Sequence, residues 1–403
     1  MVRQMDGSEI TEIRGGANQR RVRDHNERLI LSMIQRHGPM PGSEIARRAG
    51  LSPQTASIIL RKLEADRMLD RGEPVRGKVG KPSVPMALNP EGVLSFGLKI
   101  GRRSADLVLS DILGTVRQQR HREYDYPLPE EILAFLEEGL ARMQDGLAPA
   151  QRERLCGIGI GIPFELWKWH DAAGPDNARF RAWRDVDLPA AIARFSELPV
   201  FVLNDATAAC HAEYLFGRGK AFRDYAYFFI GSFIGGGVAL NGSVYEGNRG
   251  NAGALGSIRT TSPLGESKQL IDVASLHLLE RRLVEVGIDP AILWRRPQDW
   301  RGLERHVEPW IGETAQELAK ASLSICSVID FEAILIDGAF PAWVRGELVA
   351  RVRRYLDHQD MRGLIAPVIE PGSVGENARA IGAASCPIFR QFLLDTNGGP
   401  SIF

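Results

Sequence analysis

Gln54, Thr55, Ile58 and Arg61 lie close together in the chain and carry side chains suited to the edges of base pairs. A glutamine amide offers a donor and an acceptor that pair bidentately with adenine, and a threonine can hydrogen-bond a base or touch a thymine methyl. Ile58 adds an apolar group able to pack on a methyl, and Arg61 adds a fixed positive charge. In a helix these four fall on one face, while Ala56, Ile59, Leu60 and Leu63 fall on the opposite, core-facing one. Further on, Lys78 and Lys81 stand in the run Arg76-Gly77-Lys78-Val79-Gly80-Lys81-Pro82. Ammonium groups on such a flexible tip meet phosphate or enter a minor groove.

These side chains need a helix that starts at a defined point. Ser52 is a good N-cap, and Pro53 sits at the first helical position, where its missing N–H costs nothing. Gly50 can take the positive φ that ends the preceding helix, whose Ile45, Ala46 and Ala49 share one face. An upstream helix over about 24–37, with Leu29, Ile30, Met33 and Ile34, closes a three-helix core. Met68 and Leu69 begin a strand, and Val84, Met86 and Leu88 alternate as its returning partner. The pattern is a winged helix-turn-helix over residues 20–90, in which the first turn of the second helix faces the major groove. Two plainer readings stand beside this one: Ile58 can pack against the wing, and the charged face can be the solvated side of a protein-binding winged helix.

Charge favours nucleic acid. Residues 14–82 hold 15 Lys and Arg against 7 Asp and Glu, whereas the 403-residue chain is neutral in total. A basic head therefore sits on a mildly acidic body, and only the head suits a polyanion. The length allows two or three domains, and the apolar and charged fractions are ordinary for a globular protein. No apolar run reaches the length of a membrane span. Residues 1–19, with Asp6, Glu9 and Glu12, read as a short disordered arm and not a signal peptide. Cys156, Cys210, Cys326 and Cys386 are far apart, with no C-x-x-C pair, as expected of buried thiols in the cytoplasm.

The body shows an internal repeat. Residues 94–100, 105–110 and 115 onward read as a three-strand meander with turns at Gly101 and at 111–114. A second meander runs through a strand at 225–230, a glycine turn at 231–236, a strand at 238–240, the hairpin turn Asn241-Gly242 and a strand at 243–245. Two such units, each followed by helices and further strands, indicate a duplicated α/β body with a cleft between its halves.

Three stretches carry a family resemblance: Gly157-Ile158-Gly159-Ile160-Gly161-Ile162-Pro163, Trp183-Arg184-Asp185-Val186-Asp187-Leu188, and above all Leu198-Pro199-Val200-Phe201-Val202-Leu203-Asn204-Asp205-Ala206-Thr207-Ala208-Ala209. With Gly231 to Gly237 and Gly253-Ala254-Leu255-Gly256 at matching spacing, the chain resembles the ROK family of repressors and sugar kinases over about residues 20–390. The resemblance implies an actin-like ATPase (ribonuclease H-like) fold of sugar-kinase type. One lobe would cover 91–205, completed by a C-terminal helix at about 376–395. The other would cover 206–375 and hold the effector cleft and the dimer contacts.

In the family's kinases the residue matching Asp205 is the general base on the sugar hydroxyl, a fitting task for a carboxylate. The rest of that machinery departs here. Where the kinases read Asp-x-Gly-Gly-Thr, this chain reads Lys99-Ile100-Gly101-Arg102-Arg103, so an ammonium replaces the acid that organises magnesium. Phe233 replaces a glycine of the second phosphate loop and is expected to fill the nucleotide space. Ala254 and Ser257 stand where the family has its sugar-binding Glu and its His, and residues 262–280 contain no cysteine for the family's zinc. Phe164 replaces the glycine after Pro163, followed by Trp167, Trp169 and His170.

The expectation is therefore a DNA-binding regulator with no catalytic residues, metal or cofactor. Asp205 is a relic of the general-base position. Asn204, Asp205 and Asn177 are candidate contacts to a carbohydrate effector, with retention as a structural hydrogen-bond pair the plainer role for Asn204 and Asp205. Double-stranded operator DNA and a second copy of the chain are the expected partners. An active kinase with a fused DNA-binding head remains open, as does a DNA binder whose cleft Phe233 and Phe164 have packed shut.

Overall fold

The computed structural model describes residues 19–74, 83–168, 181–261 and 265–395. Lys78, Lys81, Trp169, His170 and Asn177 lie outside these residues.

The head opens with α1 (Gln19–His37), β1 (Met40–Pro41), α2 (Gly42–Ala49) and α3 (Pro53–Ala65), followed by β2 (Leu69–Arg71) and β3 (Pro85–Leu88). Its three strands pair in the order β1-β3-β2. Gly50 ends α2 at φ 65°, and Ser52 Oγ accepts the Thr55 N–H at 3.1 Å, so the turn takes the form its residues dictate. Ile30, Ile34, Ile45, Ile59, Leu63 and Met86 are buried together. Helix α1 begins several residues before the expected start at 24, because the polar run ahead of Leu29 shows no apolar period.

Two five-stranded sheets form the body. The first holds β4 (Leu94–Ile100), β5 (Ser104–Asp111), β6 (Val116–Glu123), β7 (Leu155–Ile162) and β8 (Val200–Asn204), in the order β6-β5-β4-β7-β8. Helix α4 (Pro129–Asp145) buries Ile132, Phe135, Leu136 and Leu140 against it. The second sheet contains β9 (Tyr225–Ile230), β10 (Ile234–Leu240) and β11 (Ser243–Val244). Beyond the β12–β13 hairpin (Arg259–Thr261 and Ser267–Gln269) it adds β14 (Ala333–Gly338) and β15 (Val368–Pro371), giving the order β11-β10-β9-β14-β15. Both sheets are an antiparallel meander extended by two parallel strands, so the repeat seen in the sequence is a repeat of topology.

The second glycine stretch differs from the reading of its sequence. Gly235, Gly236 and Gly237 are not a turn but part of β10, paired with Phe229, Phe228 and Tyr227. Their bare backbone lets helix α5 (Asp205–Phe216) approach: a Cβ on Gly237 would lie 2.5 Å from Cys210 Cβ, and one on Gly235 2.8 Å from Ala206 Cβ.

Helices α6 (Leu276–Glu285), α7 (Glu304–Cys326) and α8 (Ala342–Leu356) surround the second sheet, with Trp300, Trp310 and Phe340 in their core. The last helix, α9 (Ala378–Phe392), returns to the first sheet and packs backbone to backbone. A Cβ on Gly159 of β7 would lie 1.8 Å from the Ala383 carbonyl oxygen, and one on Gly382 of α9 1.7 Å from that of Ala208 in α5. Helices α5 and α9 thus run side by side between the lobes with no room for a methyl group.

Gly382→Ala should therefore destabilise the protein by about 3 kcal/mol, the upper range for overpacking. Urea unfolding reads this as a lower midpoint, and an unchanged midpoint would mean that the two helices separate at no cost.

Candidate DNA-reading surface and effector cleft

On the head, Gln54, Thr55, Ile58 and Arg61 are all exposed, Ile58 at 55 %, and point away from the buried face of α3. The Thr55 hydroxyl lies 2.8 Å from Ser52 Oγ, so the N-cap holds its rotamer. Arg61 Nε reaches the Ser57 carbonyl at 3.3 Å. Helix α3 is tied to α1 by Lys62 donating to Glu27 at 2.6 Å, and to β2 by a bidentate Arg71–Glu64 pair. Arg47 on α2, with 74 % of its side chain exposed, adds a positive charge that the helix-face argument missed because it lies one helix earlier.

The head is fastened to both lobes. Arg28 donates to the Gln391 carbonyl at 3.0 Å and to that of Arg390, at the end of α9. Arg36 donates to the carbonyls of Lys220 (3.2 Å) and Phe222 (3.1 Å) in the second lobe and covers the Tyr214 ring. From the first lobe, Arg154 donates to the Asp66 carbonyl at 2.9 Å. Leu215 of α5 and Ile388, Phe389 and Leu393 at the end of α9 are buried with Ile30, Leu31 and Ile34 of α1.

A cavity of about 840 Å³ opens between the lobes at the other end of α5 and α9. Asn204 lines it, but its Oδ1 accepts from the Ala206 and Thr207 N–H groups, making it the N-cap of α5. Asp205 accepts from Arg379 Nη1 at 3.1 Å, with both side chains about 15 % exposed. Arg379, in the first turn of α9, also lies 4.9 Å from the Phe229 ring centroid.

Lys99 is paired within the first lobe. Its ammonium donates to Ser104 Oγ at 2.8 Å and to Asp106 Oδ2 at 3.0 Å, and Asp106 Oδ1 lies 2.6 Å from His121 Nδ1. Burial lowers the Lys99 pKa, and Asp106 opposes that shift. Burial would raise the Asp106 carboxyl, but Lys99 and His121 overcome it and hold the group well below the usual carboxylate range. The pair is thus neutralised inside the first lobe, and its carboxylate is spent.

Phe233 stands in the cavity wall and leaves the cleft open. Its ring lies 5.1 Å from that of His277, and the Arg102 guanidinium 5.4 Å from its centroid. Arg102, on the β4–β5 turn of the first lobe, also reaches Glu280 on α6 of the second at 3.6 Å. Burial pushes the Glu280 carboxyl up, with Arg102 and Arg103 opposing. Phe164, 38 % exposed, lines the rim. These residues do not fit a magnesium–nucleotide complex, since the phosphate loop offers cations in place of a metal ligand and a phenyl ring in place of bare backbone. Among the described residues, no three His, Cys, Asp or Glu side chains gather to hold a metal ion.

A model described as the ROK family matches residues 95–269, and one described as winged helix-turn-helix DNA-binding matches residues 23–69. The xylose repressor of Bacillus subtilis is 28 % identical over 60 % of this chain, and the match spans 62 % of that protein's length. The N-acetylglucosamine repressor of Escherichia coli O157:H7 is 24 % identical over 61 % of this chain and 59 % of its own. A crystal structure of a ROK family transcriptional regulator, a homologue of the E. coli Mlc protein, superposes with TM-score 0.65 at 20 % identity, covering 92 % of this chain and 96 % of that one. A ROK family glucokinase from Streptomyces griseus, in complex with glucose and AMPPNP, covers 72 % of this chain and 98 % of that one, with TM-score 0.56 at 22 % identity. The glucokinase match shows that the two-lobed body has the sugar-kinase fold, and the regulator match shows that fold joined to a head.

Removing the side chains that fasten the head should loosen it. The double variant Arg28→Ala, Arg36→Ala loses hydrogen bonds worth about 2 kcal/mol together. Backbone amides of α1 should then exchange hydrogen roughly 30-fold faster. Unchanged exchange in α1 would mean that apolar packing alone holds it.

Proposed function

We propose that this chain, whose residues 95–269 match the ROK family and whose residues 23–69 match a winged helix-turn-helix DNA-binding domain, is a transcriptional repressor that binds operator DNA and responds to a carbohydrate effector. One observation carries the proposal: the head is bonded to the body through α1 and through the C-terminal end of α3, yet the outward face of α3 is left uncovered. A change in the angle between the lobes must then shear the mounting of the head, whereas a passive tether would let the lobes move unnoticed. The names of the relatives, repressors of xylose and N-acetylglucosamine genes, point to the same class of effector.

In this reading Gln54 and Thr55 meet base edges in the major groove, Ile58 packs on a thymine methyl, and Arg61, Lys78 and Lys81 meet phosphate. The active form is a homodimer, because one small winged helix makes too few contacts for useful specificity and two half-sites multiply affinity. The protein acts in the cytoplasm. No described helix is long and apolar enough to cross a membrane.

The chain does not phosphorylate sugar in this account. Asp205 is bound to Arg379, Lys99 has consumed Asp106, and Phe233 stands in the phosphate path. ATP turnover with a hexose, abolished by Asp205→Asn, would refute this. The open cavity also argues against a vestigial cleft.

Gln54→Ala should cost about 2 kcal/mol at the cognate site and relax preference at one base pair. Arg61→Ala should weaken binding to all sequences and lower the salt slope by about 1. Binding selections on randomised duplexes measure both. A uniform loss across sequences from Gln54→Ala would remove it from base reading.

A further inference from the structure

The reading face of α3 offers two apolar groups side by side. Ile58 is 55 % exposed, and Thr55 precedes it by three residues, so the two side chains are neighbours one turn apart on the same face. The hydroxyl of Thr55 is already engaged. It lies 2.8 Å from Ser52 Oγ, the atom that also accepts the Thr55 N–H at 3.1 Å. The N-cap therefore turns the polar branch of Thr55 back toward the start of the helix, and the methyl is the branch left for a partner. Arg61, one turn beyond Ile58, is folded onto its own helix through Nε and the Ser57 carbonyl at 3.3 Å.

Such a pair is stiff. A β-branched side chain in a helix keeps one or two χ1 rotamers, so neither residue loses much freedom when a partner covers it. The partner must be apolar. An isoleucine pressed on the edge of guanine, adenine or cytosine covers a donor or acceptor without bonding it, and a desolvated polar group is costly. Among the groups that unmodified bases present in the major groove, the C5-methyl of thymine is the apolar one. Gln54, four residues before Ile58 on the same face, carries the amide that suits adenine, so a step of A·T pairs meets both side chains.

We infer that Thr55 and Ile58 form a site for the C5-methyl group of a pyrimidine, Thr55 acting through its own methyl and not through its hydroxyl. This rests on the DNA-reading role of α3 given above and deepens it. The group recognised is the methyl itself, so 5-methylcytosine satisfies the site as thymine does. Methylation of a cytosine at that position then raises the affinity of the chain for DNA.

The test uses the full-length chain and the duplex it selects from randomised DNA. Each thymine of that duplex is replaced in turn by deoxyuridine, which removes the methyl and nothing else. Fluorescence anisotropy should find at least one position where the replacement weakens binding about fourfold, the worth of one covered methyl group. At that position 5-methylcytosine opposite guanine should bind about fourfold tighter than cytosine opposite guanine. The thymine-to-uracil ratio is then measured in variants, a comparison within each protein that partial unfolding does not imitate. Thr55→Val keeps a methyl on the reading face and should keep the ratio. Thr55→Ser keeps the hydroxyl and should lower it, and the double variant Thr55→Ser, Ile58→Ala should bring it to about one. A selected duplex with no uracil-sensitive position would overturn the inference and leave DNA reading by α3 intact. A ratio lost in Thr55→Val and kept in Thr55→Ser would assign the contact to the hydroxyl and also overturn it. So would a uracil effect without a methylcytosine effect, because the methyl would then not be the recognised group. If the chain selects no duplex at all, both the inference and the DNA-reading assignment fall.

Discussion

The contact on which the rest depends is the backbone approach of α5 to α9 at Ala208 and Gly382, where a single methyl group has no room. The two helices run parallel from there. At their N-termini they bring Asp205 and Arg379 together in the cleft, and at their C-termini they bury Leu215 and Phe389 beneath α1. The distance from cleft to head is therefore spanned by two rigid elements in contact, each only a few turns long. Close-packed interfaces of this kind switch between discrete arrangements more readily than they deform. A ligand that favours one arrangement at the N-termini biases the head at the C-termini by its difference in affinity for the two.

The cleft illustrates how a body of sugar-kinase fold can take up altered side chains while keeping its shape. Replacing an acid with Lys99 would ordinarily bury an unpaired ammonium, a cost of several kcal/mol. The first lobe offsets this with Asp106, itself supported by His121, so the substitution is absorbed by a local network. Phe233 is absorbed differently. Its ring leaves the cavity open and becomes the surface on which Arg102 and His277 are ordered. What remains is a cavity with a charge distribution of its own, in which Asp205 is paired with Arg379.

Much of this was legible in the sequence, and what was not has identifiable causes. The turn of the head could be read because cap chemistry is local: Gly50, Ser52 and Pro53 each dictate a backbone state without help from the rest of the chain. The topological repeat could be read because strands alternate with turns at fixed spacing. Gly235–Gly237 misled, since glycine signals a turn and close backbone approach equally, and only the packed α5 distinguishes them. The partners of Lys99 could not be foreseen, because Asp106 and His121 meet it only through strand pairing. Arg379 lies 174 residues from Asp205, and no local pattern announces a pair that the fold alone assembles.

The most direct test of the account couples its two ends. Operator duplexes selected by the protein itself are labelled, and anisotropy is used to measure their affinity with and without a saturating carbohydrate ligand, for the wild type and for Arg28→Ala, Arg36→Ala. The account predicts that the ligand changes operator affinity about tenfold or more in the wild type, a typical allosteric coupling, and much less in the loosened variant, although that variant still binds the ligand. An equal change in both proteins would show that the head does not read the cleft through its mounting. No change in either would show that the cleft does not govern DNA binding at all.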